Sequence, residues 1–201
     1  MKPTLLPEPP NSIKKSKKGQ LFVASAPSGA GKSTLCQAAL GQIPALVYSV
    51  SATTRLPRPG EIDGKDYFFV TAEMFRKGIE AGKWVEWALV HDHYYGTSAD
   101  FIDNHLAAGQ NVLMDIDVQG ADQILRRYPD TITIFIMAPS MEVLRERLIA
   151  RSNDAPDVIE KRLRNAEAEI ARSDRYQYVI VNDHLPTAID RFVRILKSGS
   201  P

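Results

Sequence analysis

The sequence predicts an α/β fold, a parallel β-sheet flanked by helices, with a small strand-rich unit inserted into it. Three observations predict this. From Gln20 onward, short runs of Val, Ile, Leu and Phe alternate with helix-like stretches, the order that builds a parallel sheet. The runs are nearly continuous in apolar residues, as expected of strands covered on both faces. Residues 49–97 break the alternation with aromatic-rich strand candidates around a single helix.

Each element follows in order. A strand over 21–25 (Leu-Phe-Val-Ala-Ser) runs through a glycine-rich turn into a helix over 32–41. The insertion holds strand candidates at 67–70 and 84–90 around a helix at 72–81. It is too rich in strand for a simple crossover. Strand 111–116 precedes helix 119–127, and strand 131–137 precedes helices 141–151 and 157–173. Strand 178–181 and helix 188–196 close the pattern. Residues 1–19 carry Pro3, Pro7, Pro9 and Pro10, then Lys14, Lys15, Lys17 and Lys18. They read as a flexible tail whose basic end is solvated.

Composition narrows the function classes. A chain of 201 residues suits one compact domain with small appended pieces. Net charge is +1, which gives no general attraction to nucleic acid or membranes. No apolar run approaches the ~18 residues of a membrane span, and Met1 to Gly19 lacks the apolar stretch of a secretory signal. The single cysteine, Cys36, excludes an internal disulfide and is expected to pack as a small hydrophobe. The four histidines form no cluster with metal-ligand spacing. A cytoplasmic location is expected, and homo-oligomerisation is left open.

The strongest local signal is Ala26-Pro27-Ser28-Gly29-Ala30-Gly31-Lys32-Ser33-Thr34, between a predicted strand and a predicted helix. That is the context of a P-loop, so the sheet is expected to be of the P-loop NTPase type. Gly29 and Gly31 let the backbone bend until several N–H groups face one anion, and the helix N-terminus adds partial positive charge. Lys32 can reach the β- and γ-phosphates, and the Ser33 hydroxyl can sit on Mg2+. Ala26 stands where the full motif has its first glycine. It would be strained if that position required a positive φ, and the expectation is that it does not.

Downstream stand Ser51-Ala52-Thr53-Thr54-Arg55-Leu56-Pro57-Arg58-Pro59-Gly60-Glu61, Glu86-Trp87-Ala88, Tyr94-Tyr95-Gly96-Thr97 and Asp115-Ile116-Asp117-Val118-Gln119-Gly120. With Leu144 to Leu148, Arg162-Leu163 and Val181-Asn182-Asp183, these motifs closely resemble the guanylate kinase family over roughly residues 20–197. The resemblance implies a parallel-sheet core at 20–48, 98–142 and 172–201. It also implies a mixed-sheet GMP-binding domain at 49–97 and a helical lid at 143–171. The activity implied is Mg2+-dependent transfer of a phosphoryl group from ATP to GMP or dGMP.

Site residues follow from the same motifs. Arg55 and Arg58, with Pro57 stiffening the turn between them, can clamp a phosphate through bidentate guanidinium forks. The resemblance adds Tyr67 and Tyr95 as hydroxyl donors to that phosphate, with Gly96 beside them and Glu61 nearby. It places Glu86 on guanine N1–H and the 2-amino group, with Ser51 and Thr97 as hydroxyl partners. Adenine lacks both donors and would leave the carboxylate unpaired. Asp115 ends a strand, where open α/β sheets hold ligands. It is assigned to GMP and to the Mg2+ shell, with Asp117 second, although capping the next helix explains Asp117 as well. Arg147 and Arg151 share a helix face; with Arg162, they resemble the lid arginines that close onto the phosphates. Asn182 resembles the residue that reads the adenine of ATP, though a turn asparagine is as ordinary an explanation.

The lid departs from the family pattern at Ser152, Ala155 and Pro156, which is expected to alter rates rather than abolish activity. Two other readings remain at this stage. One is a guanylate-kinase-like binding module without catalysis. The other is a related kinase with a phosphorylated sugar as acceptor.

Overall fold

The computed structural model describes residues 18–90, 92–151 and 155–198, with the backbone alone at Arg151. The chain begins with β1 (Leu21–Ser25), α1 (Lys32–Gln42), β2 (Val47–Tyr48), β3 (Ala52–Thr53) and β4 (Phe68–Phe69). It continues through α2 (Ala72–Glu80), β5 (Trp84–Val90), β6 (His93–Ser98), α3 (Ala99–Ala107) and β7 (Val112–Asp115). Then come α4 (Val118–Arg127), β8 (Ile132–Met137), α5 (Met141–Arg151) and α6 (Pro156–Ile170). A 3-10 turn (Ser173–Arg175), β9 (Tyr178–Val181) and α7 (Leu185–Ser198) complete it.

The strands form two sheets. The larger is five-stranded in the order β2-β7-β1-β8-β9, and its neighbours pair in parallel. The apolar runs split by side-chain alternation. Phe22, Ala24, Leu113, Ile134 and Ile136 face α1 and α7, packing on Leu35 and Phe192. Leu21, Val23, Val112 and Met114 face α3 and α4, packing on Ile102, Leu106 and Ile124. Two covered faces account for the nearly unbroken apolar strands.

The smaller sheet is four-stranded, in the order β4-β3-β6-β5. It is mixed, since β3 pairs with β4 in parallel and with β6 antiparallel. Phe75 of α2 stacks between Trp84 and Tyr94 on one face of this sheet. The two helices α5 and α6 form a separate pair with their own apolar contact among Leu144, Leu148, Ile159 and Leu163. Pro156 begins α6, a position where its missing N–H costs nothing.

The expected elements are present, with four additions. The segments β2, β3, β6 and α3 were not anticipated as elements, and the strand expected at 67–70 is reduced to Phe68–Phe69. No helix among the described residues is long and apolar enough to cross a membrane.

Candidate functional site

The site begins at the turn between β1 and α1. Gly29 and Gly31 have φ of 90° and 99°, values at which a Cβ would meet its own backbone. Ala26 is not among the described residues with positive φ, so the departure from the usual glycine leaves the turn unstrained. Behind the turn stands Asn182, which is buried at 5% exposure. Its amide donates to the Ala30 carbonyl oxygen at 2.9 Å, and a Cβ on Gly31 would collide with the same amide nitrogen. Asn182 therefore buttresses the loop from behind through one hydrogen of its amide. Gly31→Ala is expected to cost roughly 1–2 kcal/mol of stability through backbone strain. The displaced Asn182 should also raise KM for the nucleoside triphosphate. Thermal melts and steady-state kinetics check this, and an unchanged KM would show that the loop does not depend on the buttress.

At the mouth of the loop, Lys32 forms an ion pair with Asp115, the last residue of β7, and lies 3.5 Å from the Ile116 carbonyl oxygen. The Tyr48 hydroxyl lies 3.5 Å from the other Asp115 oxygen. Burial and the Asp115 carboxylate both push the Tyr48 phenol above its ordinary range. Ser33 is exposed one residue into α1. Lys32, Ser33 and Asp115 line one cleft of about 600 Å³. Among the described residues there is no group of three or more His, Cys, Asp or Glu that could hold a metal ion by itself. Ser33 and Asp115 are hard oxygen donors. They fit Mg2+, which keeps its waters and is usually held by one or two side chains together with substrate phosphates.

An adjoining cleft of about 250 Å³ shares Lys32, Ser51, Tyr67 and Asp115 with the first and adds Glu86, Tyr95 and Asp117. Glu86 is 6% exposed and Thr97 1%. The antiparallel register sets them opposite each other, and the Thr97 hydroxyl donates to Glu86 Oε1 at 2.7 Å. Burial pushes the Glu86 carboxyl up to about 7; the Thr97 hydrogen bond lowers it and the charge of Asp117 raises it. The Thr97 hydroxyl is thus engaged with Glu86. Gly96 is a packing position. A Cβ there would come within 2.9 Å of the Glu86 carbonyl oxygen and of Phe75, so glycine is needed for the strands and α2 to close up. Asp117 lines the cleft and also caps α4, accepting from Gln119 N at 2.9 Å and Gly120 N at 2.8 Å. Its capping role is therefore the one the hydrogen bonds display.

The two arginines of the acceptor loop are not equivalent. Arg55 grips Glu61 with both guanidinium arms, each at 2.9 Å, and lies over the Tyr67 ring, 5.4 Å from its centroid. Glu61 also accepts from the Arg58 backbone N–H at 2.7 Å. The Arg55 fork, then the Arg58 N–H, hold the Glu61 carboxyl down to about 2. Glu61 is thereby the residue that aims Arg55 at the Tyr67–Tyr95 pair, whose rings meet edge to face. The Arg58 side chain is exposed, so the structure brings together only half of the expected arginine clamp.

On α5, Arg147 donates to the Asn182 carbonyl oxygen at 2.8 Å, which ties this helix to the residue supporting the P-loop. Arg162 sits half-buried on α6. The Arg151 side chain lies outside the described residues, as do Ser152 in the altered hinge and most of the basic tail. Cys36 is buried, as expected, and burial pushes its thiol up to about 12. Sequence reasoning missed Tyr48 and Ser49. The Ser49 hydroxyl is buried without a hydrogen-bond partner on the wall of the larger cleft. It also missed Glu169, which burial raises above the ordinary carboxyl range and Lys32 draws back down.

A family model described as guanylate kinase matches residues 18–199. The chain is 47% identical to the guanylate kinase of Geobacter sulfurreducens over 180 residues, 90% of this chain and 89% of that one. It is 44% identical to the guanylate kinase of Thermotoga maritima over 181 residues, 90% of this chain and 87% of that one. Among solved structures, the guanylate kinase of Anaplasma phagocytophilum superposes with a TM-score of 0.72 at 34% identity. That match covers 92% of this chain and 87% of that chain.

Proposed function

The chain belongs to the guanylate kinase family, and from that premise we propose how its own residues move a phosphoryl group from ATP to GMP. One observation carries the proposal: Glu86, a buried carboxylate hydrogen-bonded by Thr97, lines the same cleft as the P-loop lysine. The carboxylate can sort purines, and the lysine can neutralise a transferring phosphoryl group.

Residues 49–97 hold the acceptor. Ionised Glu86 accepts from guanine N1–H and the 2-amino group, and Ser51 contributes a hydroxyl on the same wall. Arg55, held by Glu61, and the hydroxyls of Tyr67 and Tyr95 take the GMP phosphate. The donor triphosphate lies in the turn from Ala26 to Thr34, against N–H groups aimed by Gly29 and Gly31. As it enters, Lys32 exchanges Asp115 for the phosphates. Asp115 is then freed; with Ser33 it would hold Mg2+, which would offset phosphate charge when bound. Residues 143–171 act as the lid, delivering Arg147, Arg151 and Arg162 to the phosphates. Cations that arrive only on closure favour the transition state over the ground state, and closure excludes water. The GMP oxygen is already nucleophilic, so these groups position and neutralise rather than activate.

The test is ADP release across GMP, dGMP, AMP and ribose 5-phosphate, with and without Mg2+. GMP and dGMP should turn over only with Mg2+, and AMP should be poorer by about 10⁴-fold in kcat/KM. Turnover of the ribose phosphate at a rate equal to GMP would remove Glu86 from acceptor selection.

A further inference from the structure

We infer that Gln123, on α4 of the large-sheet side, is a positioning residue for guanine recognition, acting through the backbone beside Glu86. The inference rests on Glu86 being the guanine reader. The strand β5 is an edge of the smaller sheet, and edge strands leave alternate N–H and C=O groups unpaired. At Trp87 both groups are taken by one side chain. Gln123 Oε1 accepts from Trp87 N–H at 3.2 Å, and Gln123 Nε2 donates to the Trp87 carbonyl oxygen at 3.1 Å. A primary amide carries a donor and an acceptor in one plane, so Gln123 supplies what the peptide of a further strand would supply.

The place where it does so decides its consequence. Trp87 directly follows Glu86, and α4 approaches Glu86 from the same side. A Cβ on Gly120, one turn before Gln123, would lie 3.2 Å from Glu86 Oε2. Thr97 holds the other carboxylate oxygen. The carboxylate is thus held by Thr97 within its own sheet, with α4 passing close to its other oxygen. Gln123 sets the spacing between α4 and β5. Without it, Oε2 is free to shift against Gly120, and the two donors of guanine no longer meet both oxygens together. Binding of the acceptor should suffer, while the P-loop, on the far side of Asp115, should not.

The test uses Gln123→Met, which keeps length and volume but removes both hydrogen bonds, in the full-length protein. KM for GMP should rise about fivefold, the loss of part of one to two modest hydrogen bonds. KM for ATP and kcat should stay within about twofold. The preference for GMP over inosine monophosphate, which lacks the 2-amino group, should shrink. Gln123→Glu, which keeps an acceptor for the Trp87 N–H but sets its second carboxylate oxygen against the Trp87 carbonyl oxygen, should raise KM for GMP at least as much as Gln123→Met. In a Glu86→Gln background Gln123→Met should add nothing, because the group it positions is gone. If Glu86→Gln raises KM for GMP but Gln123→Met does not, or if the two effects multiply, the inference is overturned. Equal rises in both KM values would reduce Gln123 to general stability and overturn it too. If Glu86→Gln itself leaves KM for GMP unchanged, the underlying reading of Glu86 falls, and this inference falls with it.

Discussion

Lys32→Met is expected to leave a folded protein whose kcat is lower by about 10³-fold, the scale of removing a preorganised electrostatic contact to a transition state. Methionine keeps the aliphatic stem and removes the charge. Lys32 pairs with Asp115, at side-chain exposures of 21% and 15%. The substitution therefore strands a mostly buried carboxylate. That should lower stability, with solvent screening limiting the loss, so thermal melting must accompany the kinetics. A modest fall in Tm with a large fall in kcat is the expected pair of results. A near-normal kcat would take Lys32 out of the mechanism. Proportional losses of Tm and activity would make the ion pair structural only.

Glu86→Gln should reduce kcat/KM for GMP by about 100-fold, the scale of losing charge-assisted hydrogen bonds in a desolvated site. The amide can accept one guanine proton, but its NH2 then opposes the other. Acidity gives a second reading of the same group. Burial pushes Glu86 up to about 7, whereas guanine requires the ionised form. Near neutral pH, GMP binding should therefore release a fraction of a proton. Above about 7 the site is ready, and KM for GMP should be flat. Below it, KM should rise by up to about tenfold per pH unit as the protonated form takes over. The GMP phosphate titrates nearby, so the comparison with Glu86→Gln, which keeps the phosphate contribution and loses the carboxyl one, isolates Glu86. Identical profiles for wild type and Glu86→Gln would show that this carboxyl does not control acceptor binding.

Legibility differed from segment to segment. The strands β1, β7, β8 and β9 and the helices after them are visible because each strand is a nearly continuous apolar run followed by a longer helix-like stretch. The insertion was legible as strand-rich but not as a drawn sheet. Two-residue strands such as β2 and β3 are too short to show a period. The sequence of β6, His-Tyr-Tyr-Gly-Thr-Ser, is polar and becomes a strand because β3 and β5 flank it. A signal for α3 was present and passed over: Ser98 caps the helix, and Ile102 and Leu106 fall four apart on its buried face.

What the sequence determined alone is the local chemistry. The glycines of the P-loop, the lysine after them and the helix they open are contiguous, and their conformations are set by the residues themselves. Partnership was left to the tertiary structure. Glu61 aims Arg55, Asn182 stands behind Ala30, Thr97 holds Glu86, and Arg58 stays in solvent. Asn182 is 152 positions from Ala30 along the chain. A local pattern encodes φ, ψ and burial, but it carries no address for a partner that distant. Only packing two sheets against shared helices brings such pairs into reach, because hydrogen bonds and ion pairs act over a few ångströms whatever the separation in sequence.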